Sequence, residues 1–388
     1  MLQGKDIIVF ANEWGRHPSS CQHLMTQLLE ANRILWVNTI GMRRPKLSLY
    51  DIKRAAGKIL SWVKPKTANP VEIPKHLNVI SPLMIPYNDI APIRRINRQN
   101  VISAVHAASR ELGFRDPILV TAVPLVADYV GDLGESLCVY YCMDDYAEWP
   151  GAAKEMLQEL ELDLVRKADV VVAVSDRLVE MKQPLNSATH LLTHGVDVEH
   201  FASAQQVTGA DVRINYPSPV LGYYGLIDER TDQAMLVDVL AAKPDWTMVF
   251  IGNARVSLES LERFPNFHHI GPVPYDELPF YAAGFDVAII PYILNELSMS
   301  INPLKLKEYL ATGVPVVSTP LPEAVRLSDW IHVADSAESF ISSVEAALHE
   351  PRDTESLMRF LQSEAWSAKA ETLSQIISSA LPDSSGRK

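Results

Sequence analysis

Three cysteines in 388 residues, Cys21, Cys138 and Cys142, make an odd count with no CxxC pair. That excludes a disulfide framework and points to a reducing compartment. No run approaches 18 consecutive apolar residues, so no membrane-spanning helix is expected. The first residues, "MLQGKDIIVFANEW", lack a basic stretch followed by a long apolar one, so no secretory leader is expected either. Positive charge is in deficit: the formal net charge is −12, which argues against a nucleic-acid partner. No GxGxxG follows the first apolar run, which speaks against a dinucleotide dehydrogenase. No Asp-x-Asp occurs, and His268 and His269, adjacent on a predicted strand, would point to opposite faces. No metal and no resident cofactor is expected.

What is present is a long alternation of strands and helices. Continuously apolar, β-branched runs recur, among them "DIIVF" (6–10), "RILWVN" (33–38), "LCVYYC" (137–142), "DVVVAVS" (169–175), "VLGYYG" (220–225), "TMVFIG" (247–252), "DVAIIP" (286–291) and "VPVVST" (314–319). Such runs suit strands buried on both faces of a parallel sheet. Helical patterns such as "PSSCQHLMTQLLEAN", with a serine at its cap, and "GAAKEMLQELELDLVRKA" lie between them. The fold class expected is α/β: two Rossmann-like, doubly wound parallel-sheet domains facing a cleft. The domains expected are 1–203, a polar linker over 204–219 ending in two prolines, 220–362, and a further helix over 363–381.

The stretch "SINPLKLKEYLATGVPVVSTP" (300–320) carries the densest chemistry. Pro303 fits a first helical turn, Ser300 or Asn302 its cap, and Gly313 its left-handed end, giving a helix over about 303–311. The start of that helix falls at the carboxyl end of a parallel sheet, where free N–H groups and the helix dipole favour phosphate. Lys305 adds a full charge, and Glu308 is a carboxylate able to accept from two neighbouring ribose hydroxyls. The bland alternative is a solvated i,i+3 pair between Lys305 and Glu308.

The same stretch resembles the nucleotide-sugar signature of GT-B glycosyltransferases, especially the retaining family-four (glycosyl transferases group 1) type. There a Glu is followed by seven residues, a second Glu, and a Gly-x-Pro-Val-Val turn. Glu308 matches the second Glu; the first falls on Ser300, a departure. The resemblance implies that the backbone at Asn302, Pro303 and Leu304 wraps phosphate and sugar. It implies that Gly225 and Arg230, in "GYYGLIDERTD", form the diphosphate loop, with Leu226 where many relatives carry a second Arg. Gly252 and Asn253 in "FIGNA" would line the same site, and Val273 would stand where the base is read. "THGVDVEHF" resembles the turn before the linker, and Trp366 the closing helix over 363–381 that returns to the first domain; the resemblance makes 1–203 the acceptor-binding domain and 220–362 the nucleotide-sugar-binding one.

Three candidate groups stand in the first half. "ANEWGRHPSSCQHLM" resembles the loop lining acceptor and donor phosphate, with Gly15, Arg16 and His17. Asp144 and Asp145 end a buried strand; either they orient or deprotonate an acceptor hydroxyl, or they stabilise a loop. Residues 41–66 hold eight Lys/Arg against one Asp. On a helix, apolar residues with Trp62 at the edge would face away from Lys53, Arg54 and Lys58, a pattern of membrane-surface binding. "PIRRINR" (92–98) adds a second basic cluster.

Together these imply a metal-independent glycosyltransferase. It would move a sugar from a nucleoside-diphosphate donor to a hydroxyl of a lipid-linked or polysaccharide precursor of a bacterial cell envelope, with retention. It would work in the cytoplasm, peripherally associated with the inner face of an anionic membrane. The alternatives are a nucleotide-sugar epimerase of the same fold and a non-catalytic carbohydrate- or nucleotide-binding partner.

Overall fold

The structure is a computed structural model, and it describes residues 1–15, 19–39, 73–350 and 353–381. Arg16, His17, Lys53, Arg54, Lys58 and Trp62 lie outside the described residues. The chain divides into two compact units, 1–193 with 370–388, and 194–369.

In the first unit the elements run β1 (Asp6–Ala11), α1 (Ser20–Leu28), β2 (Arg33–Asn38), β3 (Leu77–Ile80), α2 (Ala91–Leu112), β4 (Ile118–Thr121), β5 (Leu137–Cys142), α3 (Lys154–Lys167), β6 (Val170–Ala173), α4 (Asp176–Lys182) and β7 (Thr189–Leu191). The seven strands pair in the order β3-β2-β1-β4-β5-β6-β7, every neighbour parallel. β1 and β5 are buried along their whole length, which is why they show no alternation. Ser19 caps α1 by accepting from the Gln22 N–H, as expected.

The second unit follows with α5 (Val198–Ala202), β8 (Val220–Tyr224), α6 (Gln233–Ala242), β9 (Thr247–Ile251), α7 (Glu259–Glu262), β10 (Phe267–Gly271), α8 (Leu278–Ala282), β11 (Val287–Ile290), α9 (Glu296–Ser300), α10 (Leu304–Thr312), β12 (Val316–Ser318), α11 (Pro322–Arg326), β13 (Ile331–Val333), α12 (Ala337–His349), α13 (Thr354–Ser363) and the start of α14 (Trp366–Ala380). Its six strands pair in parallel in the order β10-β9-β8-β11-β12-β13. In both sheets the strand order reverses beside the first strand, β1 or β8. At such a switch point the loops leave the strand ends in opposite directions.

The compact units do not follow the expected boundaries, and the first ends at Thr193 rather than at 203. Residues 204–219, expected to be a linker, are built into the second unit. Ala204 and Ile214 are buried, the Arg213 N–H donates to the Phe280 carbonyl at 3.0 Å, and Val212 and Ile214 press against Gly284. A few apolar anchors hold a segment whose composition reads as polar. The returning helix is one element from Trp366, and it passes to the first unit at Ala370 rather than at 363. α2, a 22-residue helix, was legible in sequence only as the basic cluster in its first two turns.

Candidate functional site

β8 ends at Gly225, whose φ is +125°, and β9 ends at Gly252, whose φ is +139°. Both are positions that side-chain-bearing residues rarely adopt. A Cβ on Gly252 would meet the Gly225 carbonyl at 1.9 Å, and one on Gly225 would meet the Lys305 Cε at 2.1 Å. The two strand ends and the first turn of α10 are therefore pressed together without room for a methyl.

Lys305 is held in this corner by aromatic groups rather than by acids. Its ammonium donates to the Tyr292 hydroxyl at 3.0 Å and lies 5.3 Å from the Tyr223 ring centroid. Arg230 stands over the same Tyr292 ring at 5.3 Å and forks onto Asp228, with 2.9 Å to Oδ1 and 2.8 Å to Oδ2. Burial alone would raise the Tyr292 hydroxyl, but Lys305 and Arg230 hold it below its ordinary value. Asp228 behaves likewise: burial opposes ionisation, and Arg230 overrides it. The corner thus sets two cations against one ring, with Asp228 offsetting Arg230.

The helix start is bare. The cap residue is Pro303 itself, and no side chain caps α10. This corrects the expected cap at Ser300 or Asn302, and the expected place of Pro303 within the first turn. Ser300 instead ends α9, buried, with its hydroxyl on the Glu296 carbonyl at 3.0 Å. Asn302 is 4 % exposed, and neither Oδ1 nor Nδ2 has a hydrogen-bond partner. Buried amides left unpaired cost about 1–3 kcal/mol. Thr231 Oγ1 in the loop beyond β8 is buried and unpaired as well, whereas the Tyr224 hydroxyl at the end of β8 is hydrogen-bonded to the Glu308 carboxylate. Polar groups so left commonly mark a site that a ligand or an ordered water completes.

Glu308 shares a helix face with Lys305, three residues on. It is half-buried, and burial pushes its carboxyl up to about 7 against the opposing pull of Lys305 and the Tyr224 hydroxyl. Tyr275 is also raised, by burial first and by Glu308 second. Lys307, 200° around the helix, is 1 % exposed. It donates to the His194 carbonyl at 2.7 Å and pairs with Glu364 at 2.6 Å. The two lysines therefore do different work: Lys307 fastens α10 to the protein, while Lys305 lies under its bare end.

The structure thus gathers Gly225, Arg230, Gly252, Lys305 and Glu308 into one corner, with Asn302, Pro303 and Leu304 leading into it. Asn253 is exposed and accepts from the Ile227 N–H at 3.0 Å. Val273 is half-buried, two residues before Tyr275. His268 stacks on Tyr216 while His269 bonds the Gly252 carbonyl at 2.8 Å, so the pair diverges as their strand predicts. Sequence reasoning missed Tyr223, Tyr224 and Tyr292. The signal was there in "GYYG" and "IIPY", tyrosines at the ends of otherwise aliphatic strands. "THGVDVEHF" and Trp366 do meet: the Trp366 N–H donates to the Val196 carbonyl at 3.3 Å, and its ring leaves no room for a Cβ on Gly195.

In the first unit, Asp144 and Asp145 follow β5 after Met143. Asp144 accepts from the Asp145 N–H at 2.9 Å. Asp145 is buried, and burial first, then Glu161, raise its pKa while Lys182 opposes them. Beneath it Glu161 accepts from Tyr140 Oη and pairs with Lys182, both at 2.7 Å. Gly15 is exposed at φ +74°. No group of three or more His, Cys, Asp or Glu able to hold a metal occurs among the described residues.

Residues 218–350 match the family described as Glycosyl transferases group 1. The chain is 30 % identical over 236 residues to the putative teichuronic acid biosynthesis glycosyltransferase TuaH of Bacillus subtilis (strain 168), a match covering 55 % of this chain and 59 % of that protein. The chain thus spans less than two thirds of that relative. Among solved structures, Anabaena Alr3699/HepE in complex with UDP and glucose superposes with a TM-score of 0.65 at 13 % identity, covering 96 % of this chain and 99 % of the other. The α,α-trehalose 6-phosphate synthase of Burkholderia multivorans gives 0.62 at 14 %, covering 97 % and 98 %. At such identities the likeness shows the fold, which is GT-B.

Proposed function

With a Glycosyl transferases group 1 domain over residues 218–350 in a chain of GT-B fold, we propose a glycosyltransferase that takes its sugar from a nucleoside-diphosphate donor. The observation that carries this reading is the corner at the start of α10. Two cations stacked on Tyr292, an uncapped helix end and two unpaired buried side chains, Asn302 and Thr231, converge where the strand order reverses. Lys305, Arg230 and the free N–H groups of α10 take the diphosphate. Glu308, ionised, accepts from the ribose hydroxyls. The peptides from Asn302 to Leu304 lie between phosphate and sugar. Leaving-group charge is then carried by fixed dipoles and side-chain cations.

The acceptor is a hydroxyl of a lipid-linked or polysaccharide precursor, and transfer proceeds with retention. Asp144 and Asp145, at the end of β5, are the groups of the first unit offered for orienting that hydroxyl. The similarity to a teichuronic acid glycosyltransferase supports a cell-envelope polysaccharide. Peripheral association with an anionic membrane would bring a lipid-linked acceptor within reach.

Calorimetric titration with UDP-, GDP- and dTDP-sugars tests the donor. One member of the panel is expected to bind in the micromolar range, and Glu308→Ala to weaken it at least tenfold with the melting temperature preserved. Absence of binding by every nucleotide sugar, or an unchanged affinity in Glu308→Ala, overturns the assignment.

A further inference from the structure

Apolar exposure on this protein is uneven. Of fifteen large hydrophobic side chains exposed among the described residues, Leu83, Ile85, Tyr87, Ile90 and Ile96 fall within one stretch of fourteen, each between 37 % and 53 % exposed. Single exposed hydrophobics need no explanation, whereas a cluster does.

Hydrogen bonds make the cluster one surface. The loop from Leu83 to Ile90 runs back along the first three turns of α2. The Leu83 carbonyl accepts from Asn100 Nδ2 at 3.3 Å. Ile85 exchanges two bonds of 2.8 Å with the Asn97 amide, which also holds Asn88. The Ile90 carbonyl takes the Arg94 N–H at 2.9 Å. Asn97, Val101 and Val105 form the buried face of α2, so the loop is strapped to the helix by its backbone while its large side chains stay outside. Pro92 and Ile96, one turn apart on α2, are exposed beside them.

The charge around this surface is mixed, with cations in slight excess over the acids that pair with them. Residues 73–98 carry Lys75, Arg94, Arg95 and Arg98 against Asp89, a net +3 in a chain of −12. Arg94 forks onto Asp128 with two bonds of 2.6 Å, and Arg98 is paired with Asp132. Both are thereby fixed at the helix flank. Arg95 is exposed beside Ile96 and forms no ion pair among the described residues.

We propose that Leu83, Ile85, Tyr87, Ile90 and Ile96, with Arg95 at their edge, form the face that docks on an anionic lipid bilayer. Apolar side chains on a rigid helix–loop ridge enter the acyl boundary, a tyrosine sits at headgroup depth, and the cation meets lipid phosphate. The inference rests on the membrane association in the reading above and adds the surface that makes it.

The test is sedimentation of the full chain with phosphatidylglycerol-containing vesicles and with neutral phosphatidylcholine vesicles. Wild type is expected to pellet with the anionic vesicles. The Ile85→Ser/Ile90→Ser/Ile96→Ser variant should lose at least tenfold in partitioning, with nucleotide-sugar affinity and melting temperature unchanged. Arg95→Glu should lower anionic binding and leave neutral binding as it was. If the triple variant pellets like wild type while Lys53→Ala/Arg54→Ala/Lys58→Ala does not, this surface is wrong and membrane association stands. If wild type pellets with neither vesicle, both fail and the donor site is untouched. A wild-type dimer in solution that the triple variant dissolves would make the face a self-interface and overturn the proposal.

Discussion

The carboxyl ends of β5 and of β8 stand in contrast. Below Asp145 at the end of β5, Glu161, Lys182 and Tyr140 satisfy one another at 2.7 Å. Around Gly225 at the end of β8, Asn302 and Thr231 keep buried polar atoms unpaired, and two cations share one tyrosine. Both are charged corners of parallel sheets, yet the first is closed on itself and the second is incomplete. A closed polar network fixes a fold; an incomplete one destabilises the empty protein and favours whatever completes it.

The largest effect should come from breaking the closed corner. Lys182→Met leaves Glu161 buried and unpaired, which should cost about 3–5 kcal/mol, read by urea unfolding. Nucleotide-sugar affinity should hardly move, since the pair belongs to the other unit; a large loss of affinity would erase the contrast.

Glu308 gives the next effect. Its folded pKa, about 7, lies above that of an unfolded glutamate, so the folded state holds the extra proton. Its contribution is present in full below the unfolded value and is lost as pH rises through about 7, by roughly 3 kcal/mol at most. Glu308→Gln should therefore gain on wild type as pH climbs from 5 to 8, measured by thermal melts. Donor affinity in wild type should rise over the same interval, because the ionised carboxylate is the ribose acceptor. A flat difference between the two melts across that range would show Glu308 to be an ordinary surface acid.

Removing a cation from the incomplete corner comes third. Lys305→Met should weaken nucleoside-diphosphate binding by about ten- to a hundredfold, corresponding to a charge-assisted bond of about 1.5–3 kcal/mol, with little change in stability. If stability drops and affinity does not, Lys305 is part of the packing.

The smallest and sharpest test is Asn302→Leu. An unpaired amide replaced by an apolar group of similar volume should leave the empty protein as stable or more so, by about 1 kcal/mol, while donor binding falls. A destabilised variant with intact binding would mean that Asn302 is satisfied by internal water.

Much of this was readable from composition and order. The strands at 33–38 and 137–142 stand where their apolar runs predicted, since a strand buried on both faces must be apolar throughout. The helix after Pro303 and its end at Gly313 were legible too, though the cap was not. Proline and glycine restrict φ locally, whereas a cap depends on where the neighbouring side chain turns.

The alternation of apolar runs and helices by itself determined two parallel α/β sheets, and the spacing of Lys305 and Glu308 determined that both fall on one face of a helix. Only the tertiary structure decided that Lys307 is a buried anchor, that Tyr292 carries both Lys305 and Arg230, and that the Asn302 amide is left without a partner. Periodicity is a property of neighbours in the chain. Burial and hydrogen-bond satisfaction are set by residues such as Glu364, Tyr292 and Asp228, which come near only when the sheet is built.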